Sequence, residues 1–343
     1  MDVDYAYPAP PGQVEFLYQG SRKEQGWVLQ AMRRMPATAD QNTWIKYTSL
    51  LAERNDILRT CWLQASDATL IGVVLRNPNP DVTRISCQDE KEAASVFETT
   101  WDERFVFGKP FIRYKIITYP DGSWDLITKM DHAVYDGTFL GIFDDHYSAI
   151  LKGQPAPRHT TFKDFAFYIF EQDKSKCLEY WRERPAGWAG YDSMGARNRW
   201  INASTPMCNT AIRRPLHTTN VDQLASDHGV TPAIFFQGAF QVWLSRATNS
   251  SDVAFDYLLT GRNVDLPDPQ IINGTTANFL PMRIKVGPED SIVSFLRRTQ
   301  DDFWAMTDHS DVGLVDIYKT AGLERKRARS RSVYLPAFRT GPV

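Results

Sequence analysis

The chain has 343 residues, 43% hydrophobic and 23% charged, enough to bury the core of one large or two moderate domains. Lys and Arg number 39 against 41 Asp and Glu, and the formal charge of -2 argues against a nucleic acid or an anionic membrane as partner. No run reaches the roughly 18 apolar residues of a membrane span, and residues 1–15 carry acids and prolines rather than a basic leader, so a cytoplasmic protein is expected.

In chain order, Tyr7-Pro8-Ala9-Pro10-Pro11 reads as an extended lead-in. Trp44, Ile45, Tyr47, Leu50 and Leu51 recur at helical spacing and predict a helix over 43–53, with a strand leaving it over 58–63. Residues 111–118 and 124–130 are strand-like, and the Pro-Asp-Gly turn between them makes an antiparallel hairpin. A helix is expected over 137–151. The polar stretch 152–159, with its glycine and prolines, then reads as the start of a linker between two halves of mixed α/β pattern. In the second half, 221–228 is a short helix closed by Gly229. Thr231-Pro232 supplies an N-cap hydroxyl and a first-turn proline to a helix over 232–247, which is apolar on most sides and expected to be buried. Strands follow over 252–259 and 279–286, and a helix over 291–306. Cys61, Cys87, Cys177 and Cys208 are scattered without a Cys-x-x-Cys pair and read as buried free thiols.

The stretch richest in chemistry is Lys129-Met130-Asp131-His132-Ala133-Val134-Tyr135-Asp136-Gly137. His132 falls between a strand and a helix, in a tight connection that can aim a side chain into a cleft. Imidazole can both take and give a proton near neutral pH. By itself the His-x-x-x-Asp-Gly spacing also fits a structural histidine satisfied by neighbouring backbone. Asp144-Asp145-His146 superficially suggests a metal site, but adjacent helical residues point in different directions. It reads as a helix face, and no metal is expected.

Other segments support the first of these readings. They are Arg54-Asn55-Asp56-Ile57-Leu58-Arg59-Thr60, Asp131-His132-x-x-x-Asp136-Gly137, Phe162-Lys163-Asp164-Phe165-Ala166, Tyr180-Trp181 and Thr260-Gly261-Arg262. The run Asn273-Gly-Thr-Thr-Ala-Asn278-Phe-Leu-Pro-Met-Arg283 and His309-Ser310-Asp311 complete the series. In this order they resemble the signatures of a condensation domain of nonribosomal peptide synthetases, of fungal type, within the chloramphenicol-acetyltransferase-like superfamily.

That resemblance implies an α/β fold (α+β, two-layer) of two chloramphenicol-acetyltransferase-like lobes set in a V around a central tunnel. The N-terminal lobe, 1–160, would carry His132, and the C-terminal lobe would span 161–343. The likeness fades after Gly322 into the basic run 324–331, so the second lobe is expected to be truncated. The implied activity is acyltransfer in secondary metabolism, forming an amide between a carrier-bound thioester donor and an amine acceptor. It needs no bound cofactor. The expected partners are carrier proteins or domains bearing aminoacyl or peptidyl thioesters on phosphopantetheine arms, within or beside a larger synthetase.

His132 is the catalytic candidate: it would orient or deprotonate the amine, or stabilise the tetrahedral intermediate. Asp136 is expected in an architectural salt bridge, with Arg59 as first candidate partner and Arg262 as second. Gly137 is expected to relieve crowding where the loop enters its helix. Asn278 would line the substrate channel or make a strand-end hydrogen bond. Asp131 stands where the family has its first histidine, and a carboxylate there is expected to raise the pKa of His132. Two further readings stay open: ester formation by the same fold, and an inactive truncated remnant or carrier-docking module. The chain lacks the Asp-Phe-Gly-Trp-Gly segment of the superfamily's alcohol acyltransferases, which leans toward the amide.

Overall fold

The computed structural model describes residues 2–21, 27–77, 80–184, 188 and 220–322. Cys208 and the basic run 324–331 lie outside the described residues. Two compact units form: Met1–Gln172 together with Thr260–Asn278, and Asp173–Leu259 together with Phe279–Val343. Neither is continuous in sequence, whereas a single cut at 160/161 was expected.

In the first unit, strands β1 (Val3–Pro8), β4 (Leu70–Leu75) and β3 (Thr60–Gln64) make an antiparallel sheet in the order β1-β4-β3. A second sheet has the order β2-β7-β6-β5, from Val28–Arg34, Trp124–Asp131, Ile112–Thr118 and Val82–Ser86. The expected hairpin is β6–β7, with Ile112 opposite Met130, Thr118 opposite Trp124, and Gly122 at φ 83° in the turn. The strand expected at 58–63 is part 3-10 turn (Asp56–Arg59) and part β3, because Asn55 ends helix α2 (Gln41–Arg54) in an extended conformation.

Helix α1 (Pro11–Gly20) follows the lead-in, and α3 (Glu90–Asp102) crosses from β5 to β6. The C-terminal end of α3 is closed from the sheet: the buried Lys129 ammonium donates to the carbonyls of Thr100, Trp101 and Glu103 at 2.7–2.8 Å. Helix ends leave such carbonyls orphaned, and a cation suits that pole. Helix α4 (Gly137–Leu151) has the expected bounds. Helix α5 (Phe162–Glu171) packs back on β1, with the Phe162 ring edge-on to Tyr7 at 5.4 Å. Backbone bonds of Thr160 to Ile271 and Asn273 fix the returning segment 260–278 in the same unit.

The second unit contains α6 (Ser175–Glu183), α7 (Val221–His228), α8 (Pro232–Thr248), α9 (Ile292–Thr307), α10 (Leu314–Thr320) and the paired strands β8 (Asp252–Leu259) and β9 (Asn278–Lys285). Their core includes Trp181, Ile234, Val253, Leu280 and Ile317. Gly229 closes α7 at φ 67°, as expected. The Thr231 hydroxyl does not cap α8. Instead Pro232 occupies the first turn, and the Thr231 amide donates to the Gln300 side chain at 2.9 Å. Burial of α8 is narrower than its composition suggests. The buried stripe is Ile234, Gln237, Gly238, Gln241 and Leu244, while Trp243 is 54% exposed. Gln241 is accommodated by accepting from Thr299 at 3.1 Å and donating to the Met282 sulfur. Two of the motif segments meet here: the Trp181 indole donates to the His309 carbonyl at 2.8 Å, and the His309 ring stacks on Tyr180 at 4.1 Å.

Candidate active site

The site is the five-residue connection from β7 to α4, and its first three amides and the Ala133 carbonyl are held by hydrogen bonds. The His132 amide donates to the Trp27 carbonyl at 2.9 Å, and the Val134 amide to the Asp131 carbonyl at 3.0 Å. Ala133 is gripped from both sides. Its amide donates to Asp131 Oδ1 at 2.9 Å, and its carbonyl accepts from Gln13 Nε2 of α1 at 2.8 Å. A loop so tied presents one side chain in one place.

Asp136 is the hub at the helix end. It caps α4 by accepting from the Phe139 amide at 2.7 Å. Both its oxygens accept from Arg262 Nη2 at 3.0 Å, and Oδ2 also accepts from the Thr276 amide at 3.0 Å. Arg262 is buried and donates in addition to the carbonyls of Ile272 and Gly274 at 3.0 Å. The partner of Asp136 is therefore Arg262, not Arg59. Arg59 is engaged at another corner of the first unit, with Asp4, Asp56 and the Leu75 carbonyl. Losing one member of a buried, hydrogen-bonded pair costs about 3–5 kcal/mol, since the other charge is left uncompensated.

The His132 ring lies between aromatic faces. Phe16 stacks on it at 4.3 Å and 21°, Tyr135 lies at 4.5 Å and 33°, and Trp27 meets it edge-on at 5.1 Å and 89°. Nδ1 is buried, and no other residue among the described ones hydrogen-bonds to it. Burial pushes the imidazole down to about 4, against an opposing pull from Asp136, so the ring is neutral at physiological pH. The expected upward shift from Asp131 is thereby reversed. Asp131 is itself buried, and burial lifts its carboxyl to about 7 while it accepts the Ala133 amide. Desolvation decides both groups.

Comparison with known proteins fits this geometry. The family model described as "Condensation domain" matches residues 3–335. The chain belongs to the condensation-domain family. It is 42% identical over 339 residues to Nonribosomal peptide synthetase sidE of Aspergillus fumigatus, covering 97% of this chain and 16% of that protein. To Nonribosomal peptide synthetase 7 of the same organism it is 36% identical over 336 residues, with 97% and 14% covered. The chain thus spans about one-sixth of these relatives. Among solved structures, the condensation domain from Monacolin K polyketide synthase MokA matches with a TM-score of 0.70 at 18% identity, over 94% of this chain and 78% of that one. The fold is the two-lobe α/β fold of the condensation-domain enzymes.

Other expected residues of this condensation domain fall as follows. A Cβ built on Gly137 meets nothing within 4 Å, and its φ is ordinary, so the expected relief of crowding has no counterpart there. Tight glycines lie elsewhere: a Cβ on Gly12 of α1 would lie 1.9 Å from the Ala277 carbonyl oxygen, and one on Gly261 1.8 Å from the Thr276 carbonyl oxygen. Asn278 is buried at the start of β9. Asp144 and Asp145 are exposed and His146 is buried, so the three do not converge. Among the described residues no group of three or more His, Cys, Asp or Glu side chains could hold a metal. No described helix is long and apolar enough to cross a membrane. Sequence reasoning missed Gln13, Phe16 and Trp27 around His132, and Thr276 around Asp136. Nothing local marks them, since each reaches the loop through tertiary packing.

Proposed function

We propose that this condensation domain forms an amide between an acyl thioester carried on one phosphopantetheine arm and an amine carried on another. The observation that carries this reading is the His132 imidazole, held in the loop after β7 by its amide's bond to the Trp27 carbonyl, in a chain matched by the condensation model over 3–335. The amine nitrogen attacks the thioester carbonyl, the C–N bond forms, the C–S bond breaks, and the amine proton ends on the departing thiol. A thioester is already activated, so the protein mainly has to position two tethered reactants and manage one proton. A neutral His132 suits that task as an acceptor for an amine N–H, holding the nitrogen lone pair toward the carbonyl. It suits less well the role of a standing imidazolium for the oxyanion. Carrier proteins as partners, and a place within a larger synthetase, are supported by the length of the relatives.

The test uses purified carrier proteins loaded with aminoacyl-pantetheine, this chain or its His132→Ala form, and mass spectrometry of the products. We expect an amide whose yield falls at least about a hundredfold in the variant, the scale of a lost proton-managing group. Equal yields from both proteins would remove His132 from the chemistry. An alcohol acceptor run in parallel separates amide from ester formation.

A further inference from the structure

Resting on that reading of His132, we propose that Gly20 is a positioning residue for the β7–α4 loop: it seats the Asp131 carboxylate, and a side chain there displaces the loop that carries the reacting imidazole. A Cβ built on Gly20 would lie 2.1 Å from Asp131 Oδ2 and 3.2 Å from its Cγ. Gly20 is the last residue of α1 and its φ is not positive, so the backbone makes no demand for glycine. Helix propensity argues against one, since alanine is favoured about fivefold at a helical position. The carboxylate accounts for the glycine where the backbone does not.

The spacing of α1 produces this placement. Gly12, Phe16 and Gly20 recur every four residues and share one face of the helix. That face meets the Ala277 carbonyl, the His132 ring and the Asp131 carboxylate in turn. Gln13, beside Gly12, donates to the Ala133 carbonyl at 2.8 Å. The close contact at Gly12 holds the start of α1, so a Cβ at its end is not easily relieved by tilting the helix.

Asp131 cannot yield cheaply either. It is 1% exposed, its amide donates to the Phe111 carbonyl at 3.0 Å, and its carbonyl accepts the Val134 amide at 3.0 Å. Oδ1 accepts the Ala133 amide at 2.9 Å. A carboxylate is a rigid plane, so pushing Oδ2 outward swings Oδ1 off that amide. Ordinary van der Waals contact is about 3.5–4.0 Å, so the two groups must part by more than about 1 Å. A misplacement of that size can cost about a hundredfold in rate. The Ala133 peptide directly follows His132, so the strain falls on the reacting group.

The experiment is a double-mutant cycle in the full chain: wild type, Gly20→Ala, Asp131→Ser and the double variant. Serine keeps an oxygen able to accept the amide two residues on, and it lacks Oδ2. Each protein is followed by thermal unfolding, by the 13C resonance of labelled His132 (assigned by its absence in His132→Gln), and by kcat and KM for amide formation. We expect Gly20→Ala to lower Tm by about 3–6 °C, where helix propensity alone predicts a rise. It should also move the His132 resonance and lower kcat about a hundredfold without a matching rise in KM. In the Asp131→Ser background the same alanine should cost less than about twofold in kcat and leave Tm level or higher. Equal losses in both backgrounds, including failure of both alanine variants to fold, would overturn the pairing. So would a Gly20→Ala chain with wild-type Tm and rate. A coupled Tm with unchanged kcat would overturn the positioning role. Coupled Tm and resonance changes in a chain that forms no amide, even as wild type, would support the seat and overturn the condensation reading, so the two fail separately.

Discussion

Burial acts in the same sense on Asp131 and His132, disfavouring the charged form of each, and pH separates the two effects. The Asp131 carboxyl is lifted to about 7 from an ordinary 3.8, so the folded chain keeps a proton that the unfolded chain has lost. Its contribution to stability is therefore intact below about 4 and is lost as pH rises toward 7. The imidazole, lowered to about 4 from 6.5, acts oppositely: its contribution is intact above about 6.5 and lost as pH falls toward 4. Asp131→Asn keeps an acceptor for the Ala133 amide and removes the first slope. Urea unfolding should find the variant a few kcal/mol more stable than wild type at pH 8 and nearly equal at pH 4. A gain of the same size at both pH values would show that the carboxylate is not its source. The two residues also mark what a sequence discloses at this scale. His132 and Asp136 are legible because their spacing is contiguous. The electrostatics of Asp131 are not, since adjacency in sequence suggests a charge pair while the fold sends the carboxylate to a backbone amide. Nor is the Arg262 partner legible, because it lies 126 positions away from Asp136.

Local signals serve the elements unevenly. The β6–β7 hairpin, α4 and α7 follow from a Pro-Asp-Gly turn, an Asp N-cap and a closing glycine, which act within a few residues. Helices α1 and α3 and the strands β2, β4 and β5 were not anticipated, although Pro11 opens α1 and Asp89 caps α3 by accepting from the Glu92 amide. Helix α8 shows the other failure. Its apolar composition predicted burial on most sides, but the unit offers it a narrow stripe that takes in Gln237 and Gln241 and leaves Trp243 outside. Helix α1 matters most for function, since it brings Gln13 and Phe16 to the loop and approaches Ala277 so closely at Gly12. Gly12→Ala should push α1 outward, costing about 1–3 kcal/mol. Thermal unfolding should report that loss, and the His132 resonance should move with it. A variant with wild-type stability and an unmoved resonance would show that the contact yields at no cost.

At the scale of the whole molecule, the motif series and its order made the family legible, while the connectivity of the units was not. Composition and local patterning see a linker at 152–159. They cannot see that α5 returns to β1, or that 260–278 returns to Thr160 and Asp136. A fragment ending at Gln172 would lack Arg262 and Thr276, leaving the Asp136 carboxylate with the Phe139 amide alone from this set. Urea unfolding of residues 1–172 should be broad or absent where the full chain unfolds cooperatively. A sharp transition in the fragment would mean that the returning segment is dispensable.

The chain passes between its units at 172/173, 259/260 and 278/279. Chimeras that exchange lobes between homologous synthetases therefore need three junctions. The nineteen or so residues that bring the arginine must be inherited from the same parent as the aspartate they neutralise. A hybrid spliced at one point would combine a carboxylate from one ancestor with a guanidinium selected against another, and its failure would say nothing about substrate preference.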